Sequence, residues 1–247
     1  MIKKRLTIMV PALNEEKNIE NTVKEIKKGI NSKLDNYEIL IFDDGSKDNT
    51  GMIAENLKRK DKKIKVIHNH PNKGMGYNYI QGVKLANFEY YLLVPGDNGV
   101  RNKAIRKLTS KLGSADIILA FHANQRIRPK FRQIISQLYT FILNSLFGFN
   151  LKYFNGVSIH RTDLLRNSLP KTYGFAFLPD ILVHLLKGGA SYLEVDINIH
   201  DTRGFTSAFK FKNIVSVVKT ISTLFWELEI LRKPPLTKKA KELLAKT

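Results

Sequence analysis

Four short clusters of polar residues within the first hundred positions carry the groups that could do chemistry. Asn14, Glu15 and Glu16 follow one apolar run, and Asp43, Asp44, Gly45 and Ser46 follow a second. A third cluster runs from His68 through Asn69, His70, Pro71 and Asn72 to Lys73 and Gly74; the fourth is Pro95, Gly96, Asp97 and Asn98. Carboxylates in such places accept hydrogen bonds from N–H and hydroxyl groups, or hold a divalent cation against phosphate oxygens. Taken singly, each cluster also reads as local structure: Asp-Gly-Ser-Lys-Asp is a good turn and helix N-cap, and Asn14 could cap a helix. Four of them at matching places in repeated units read as one shared site.

The units that must position them alternate β-rich runs with helical patterns. Strands are predicted at residues 6–10, 37–42, 64–67, 90–94 and 116–120, and helices at 15–30, 49–60, 75–86 and 102–112. Ile19, Val23, Ile26 and Ile30 recur at helical spacing, whereas the nearly all-apolar YEILIF at 37–42 suits a strand covered on both faces. Repeated strand–helix units predict an α/β, Rossmann-like fold: a mainly parallel sheet flanked by helices. Ligands of such sheets bind beyond the carboxyl ends of the strands, where the four clusters fall.

The second half reads differently. Residues 131–147 place Ile134, Ile135, Leu138, Phe141, Ile142 and Leu146 along a broad helical face, after the basic stretch from Gln125 to Lys130. Residues 191–199 alternate, with Leu193, Val195, Ile197 and Ile199 on one face, as a half-exposed strand requires. Residues 213–231 form another amphipathic segment, and the Pro-broken, Lys-rich tail after Leu231 reads as mobile. The expected division is one domain over 1–212, with a ligand-binding half (1–120) and an acceptor half (121–212), followed by an amphipathic helix and basic tail (213–247).

Composition narrows the classes. With 247 residues, 43% hydrophobic and 26% charged, the chain suits a globular protein with a sizeable core. It has no cysteine, which excludes disulfide scaffolds, thiolate metal sites and a cysteine nucleophile. No run approaches the roughly 20 apolar residues of a membrane span, and the N-terminus turns acidic too early for a signal peptide. A cytoplasmic location is expected, with peripheral attachment to the cytoplasmic membrane face.

VPALNEEKNI after the first strand, FDDGSKDNT after the second and NKGMGYNYIQG before the next helix resemble family 2 glycosyltransferases of the GT-A fold, in particular the dolichyl- or polyprenyl-phosphate sugar synthases. NGVSIHR at 155–161, the stretch 174–189 and the stretch 194–210 add weaker echoes. The resemblance implies an inverting glycosyltransferase that moves a sugar from a nucleotide-diphosphate sugar to a polyprenyl phosphate or membrane-associated glycan. It gives donor binding to Pro11, Ala12, Asn14, Glu15, Asp43 and Asp44, with Asp44 the foremost candidate for the base. Lys73 and Gly74 fall where the family approaches the nucleotide, and Arg203 could neutralise the leaving phosphate.

The family usually has Asp-x-Asp in the fourth cluster to hold a divalent cation; here Pro95 replaces the first Asp and Asp97 remains. Asp97 with phosphate oxygens can still hold Mg²⁺ or Mn²⁺, and His200 could be a further ligand, which suits Mn²⁺ better; His200 reads equally as a surface or capping histidine. Asp180 falls where the family carries an acidic residue near the acceptor. It would be the general base for a hydroxyl acceptor, or simply a helix N-terminal acid favoured by the dipole. A phosphate acceptor needs no base, and Arg126, Arg128 and Arg161 would then bind it.

The net charge of +19 demands an anionic partner. Nucleic acid lacks support, because no binding motif and no aromatic ladder accompany the basic residues. An anionic membrane surface fits the two amphipathic segments better, although such helices commonly just pack on their own domain. A nucleotidyltransferase would need a Gly-rich loop after the first strand, which VPALNEE lacks; a dinucleotide oxidoreductase would need GxGxxG, which Gly74 to Gly82 do not supply. A non-catalytic, sugar-nucleotide-binding homologue remains the alternative, because of Pro95.

Overall fold

The apolar runs become the strands of one seven-stranded sheet in a computed structural model that describes residues 4–30, 34–124, 127–170, 173–200 and 211–235. β1 (Arg5–Ala12), β2 (Asn36–Asp43), β3 (Ile64–His68), β4 (Tyr90–Leu93), β5 (Ile117–His122), β6 (Ser158–Arg161) and β7 (Tyr192–Ile197) lie in the order β3-β2-β1-β4-β6-β5-β7. All are parallel except β6, which runs antiparallel to both β4 and β5. The sequence pattern misses β6 because its four residues, SIHR, contain no apolar run to signal a strand.

Helices cover both faces. α1 (Ile19–Gly29), α2 (Thr50–Lys60) and α4 (Asn102–Thr109) pack against one side, where Ile8, Val10, Ile39, Ile41, Val23, Ile26 and Ile105 are fully buried or nearly so. α3 (Met75–Leu85), α5 (Lys130–Phe147), α6 (Thr162–Arg166), α7 (Phe177–Lys187) and α8 (Phe211–Phe225) lie on the other, around Met9, Leu40, Phe42, Tyr79, Tyr91 and Ile181. Alternation within each strand explains the division: Ile39 and Ile41 serve one core, Leu40 and Phe42 the other. α8 and the π-helical turn after it (Trp226–Ile230) add Leu224, Phe225 and Leu228 to the second core.

Register aligns the strand ends. Ala12 pairs with Asp43, and Asp43 with His68, so the clusters after β1, β2 and β3 emerge side by side. The cluster after β4 joins them through Gly96 N, which donates to Pro11 O at 3.1 Å.

Candidate active site

The loops at this edge are tied to one another by their own polar groups. Asn14 takes a left-handed φ of 55°. Its N–H donates to Ser46 Oγ at 3.0 Å, and its Oδ1 accepts from Lys47 N at 2.8 Å. Glu15 N donates to Thr50 Oγ1 at 2.7 Å, while Glu16 Oε2 accepts from both nitrogens of Asn49. The first two clusters are therefore a single clamped unit.

Asp43 and Asp44 are both buried and both organise backbone. Asp43 Oδ1 accepts from Ser46 N at 3.1 Å, and its Oδ2 lies 3.0 Å from His68 Nδ1. Asp44 Oδ1 accepts from Asn69 Nδ2 and Lys73 N, each at 2.9 Å, and its Oδ2 accepts from Gly74 N at 2.9 Å. A carboxylate offers about four lone-pair sites, so these three donors leave one for a ligand. The first task of Asp44 is thus to shape the loop that carries Lys73 and Gly74. Gly74 sits at φ 87° with open space where a Cβ would be; backbone conformation, and not crowding, calls for glycine there. Asn78, which the sequence pattern hid inside an apolar helix, extends the network: its Oδ1 accepts from Asn69 Nδ2 at 2.5 Å, and its own buried Nδ2 has no partner.

The β4 loop is anchored from below by Thr22, whose hydroxyl donates to Gly96 O at 2.8 Å. Gly96 is needed because a Cβ there would come within 2.9 Å of Pro11 O. Asp97 is half-buried, and its Oδ1 accepts from Gly99 N at 3.0 Å. Asn98 is 7% exposed, adopts φ 59°, and keeps a buried Oδ1 without a partner. His200, beyond the end of β7, is delivered to this loop. Asn124 clamps Ile199 through both backbone groups, and His200 N then donates to Gly99 O at 3.0 Å. A Cβ on Gly99 would lie 3.1 Å from both Asp97 Oδ1 and His200 O, so any larger residue would push the two segments apart by a few tenths of an ångström.

Asp97 and His200 stand on segments joined at Gly99, and among the described residues no three His, Cys, Asp or Glu side chains form a metal-binding group. The two segments meet at Gly99 through Asp97 Oδ1 and the His200 backbone, and a carboxylate and an imidazole are the donor types that a divalent cation takes when its remaining ligands come from a diphosphate and water.

Asp180 lies in the first turn of α7. The chain enters β7, parallel to its neighbour β5, soon after α7, so α7 runs back from the strand-end edge and its first turn is the end nearer the site. Asp180 is 7% exposed, with His184 Nε2 3.5 Å away. Burial, reinforced by the charge of Glu227, pushes its carboxyl up from 3.8 to about 6. The unfolded chain therefore ionises first as pH rises, and stability falls between about pH 4 and 6, reaching its full cost above 6. Asp180→Asn is expected to stabilise the protein at pH 7.5 by up to roughly 3 kcal/mol, with no gain near pH 4. Urea unfolding of both proteins at the two pH values checks this.

Arg161 requires a correction. Because β6 runs antiparallel, its last residue pairs with Tyr90 at the opposite edge of the sheet. There the guanidinium bridges Asp116 and Asp163, so Arg161 staples the far edge and is not an acceptor ligand. Arg128 precedes α5 on the connection from the site end of β5, with its carbonyl accepting from Gln133 Nε2. Arg126 and Arg203 lie outside the described residues. Pro11 and Ala12 are the last residues of β1, their carbonyls taken by Gly96 N and Asp44 N.

A mostly parallel sheet with ligand-type loops gathered at its strand ends defines a GT-A-like α/β protein. The family model described as "Glycosyl transferase family 2" matches residues 7–167, and the chain belongs to that family; it is a glycosyltransferase. An uncharacterized protein of Methanocaldococcus jannaschii is 28% identical over 86% of this chain and 96% of its own length. The glycosyltransferase AglD of Haloferax volcanii is 22% identical over 95% of this chain but only 39% of its own. Glucosyl-3-phosphoglycerate synthase from Mycobacterium tuberculosis, solved with Mn²⁺, UDP and glucosyl-3-phosphoglycerate, shares the fold with a TM-score of 0.70 and 18% identity, over 89% of this chain and 79% of its own.

Proposed function

We propose that this chain transfers a sugar, with inversion, from a nucleotide-diphosphate sugar to a lipid phosphate or a membrane-associated glycan. The observation that carries the donor half is the convergence at one edge of Asp44, which shapes the Lys73–Gly74 turn, and of Asp97, joined through Gly99 to His200. The clamped loops of Asn14, Glu15 and Asp43 form a rigid floor for base and ribose. Lys73 and the N-terminus of α3, which has no acidic residue in its first turn, favour the anionic diphosphate.

Asp97 and His200 would hold Mg²⁺ or Mn²⁺, which when bound supplies positive charge against the departing diphosphate. The Mn²⁺ and UDP of the mycobacterial synthase support this reading. Asp180, with its carboxyl near 6, is ionised at neutral pH and able to take the proton of a hydroxyl acceptor; a phosphate acceptor would leave it idle. The acceptor's membrane residence would put the enzyme on a membrane surface.

A thermal-shift screen of UDP-, GDP- and dTDP-sugars, with and without Mn²⁺, tests the donor half. One nucleotide sugar should raise the melting temperature by mass action, and more so with metal. Stabilisation by none of them would refute the proposal; stabilisation without any transfer to lipid phosphate or glycan would favour the non-catalytic alternative.

A further inference from the structure

The outward side of α5 is apolar. Phe131, Ile134, Leu138 and Phe141 recur at helical spacing and are each more than half exposed, while Leu143 and Phe147 on the opposite side are buried in the second core. α8 repeats the pattern: Ile214, Val215 and Val218 are exposed opposite buried Leu224, and the π-helical turn continues with exposed Trp226 and Ile230. The two helices touch at Phe147 and Phe225, with ring centroids 6.4 Å apart. A helix apolar on both sides belongs against something on both sides, and an exposed set this large marks an interaction surface.

Charge identifies what covers it. Neither between Asp116 and Asp163 nor between Asp201 and Glu227 does the sequence carry an acidic residue. Lys130 and Lys219 are exposed on the helices themselves, and Arg232 and Lys233 are exposed just beyond the turn. A second copy would press this basic surface against its own like in a chain of net charge +19. An anionic leaflet supplies an apolar phase and the counter-charge together. No helix among the described residues is long and apolar enough to cross a membrane.

We infer that the outward faces of α5 and α8 dock in the plane of an anionic lipid leaflet. This deepens the proposal of a membrane-resident acceptor and rests on it for its purpose, although its own observations are separate. Two aromatics, exposed Tyr173 and half-buried Tyr77, lie between the docking face and the site. Tyr173 stacks edge-on against Tyr77 of α3 at 5.5 Å, and a Cβ on the adjoining Gly174 would lie 2.6 Å from Ser216 Oγ of α8. Docking through α8 therefore brings the Gly74 end of α3 toward the lipid surface.

Trp226 is the chain's sole tryptophan, so its emission reads the docking directly. The full chain is expected to sediment with vesicles of phosphatidylglycerol and phosphatidylcholine, with a blue shift of Trp226. Phosphatidylcholine alone should bind about tenfold less, and high salt should weaken the anionic binding. Leu138→Ser combined with Phe141→Ser should cut vesicle binding by roughly tenfold or more while leaving the melting temperature unchanged or higher. No vesicle binding would overturn the inference. So would a drop of several degrees in the double variant, which would mean that the face is covered within the chain, or a dimer that the same pair dissolves. Nucleotide-sugar binding measured without lipid keeps the two readings separable: donor binding without vesicle binding sinks the docking alone, and the reverse sinks the transferase proposal alone.

Discussion

Asp97→Ala is expected to lower turnover by about 10²–10³-fold, the loss typical when one preorganised electrostatic stabiliser of a leaving group is removed. The effect is large because Pro95 leaves Asp97 as the one carboxylate of its cluster. His200 reaches the same loop through the bond from its N–H to Gly99 O. His200→Ala should act in the same direction and less strongly, and the double variant should fall short of the sum, since both residues serve one cation. The signature that separates this from a folding defect is metal-linked stabilisation. Mn²⁺ should raise the melting temperature of the wild-type protein with donor, and fail to do so in either variant. Loss of the acceptor for Gly99 N contributes about 1 kcal/mol of destabilisation. Undiminished turnover in Asp97→Ala would remove the metal from the proposed mechanism.

The second large effect is expected at Asp44. Its carboxylate receives three donors, from Asn69, Lys73 and Gly74. Asp44→Asn keeps the shape but replaces one acceptor oxygen with an N–H₂ group that would face a backbone N–H. Bonds to a charged acceptor are worth more than neutral ones, and a buried donor left unpaired is costly. A loss of about 2–3 kcal/mol follows, visible as a lower urea midpoint at unchanged slope. The turn that presents Lys73 and Gly74 should loosen, so donor affinity should fall by at least about tenfold, on the argument that misplacing a binding loop by an ångström costs that much or more. Unchanged stability with weakened donor binding would instead make Asp44 a direct ligand contact, with little structural duty.

These two residues show how far the chain could be read before its tertiary structure. Asp44 stood out as a member of an acidic pair after an apolar run, but its partners Asn69, Lys73 and Gly74 follow a later strand. Only the parallel pairing of β2 with β3 brings them within 3 Å. Asn78 was illegible for a similar reason: an Asn within a helix gives no sign that it will face a carboxylate network across a loop. Arg161 was misread because strand direction decides which edge a residue occupies, and four residues containing His and Arg do not announce their direction.

The chain's local chemistry was sufficient for the units and for their kind of site. Runs such as YEILIF have nowhere to go but between two helical layers, and polar clusters that each follow such a run must emerge at a common edge once the strands are parallel. Folding in three dimensions decided the rest. It turned Asp43 and Asp44 toward neighbouring loops, carried His200 back to Gly99 through the Asn124 clamp, and left Phe131 and Phe141 facing outward while Leu143 went in. The physical reason is that periodicity specifies which residues share a face, whereas the partner of that face depends on contacts between segments far apart in the chain.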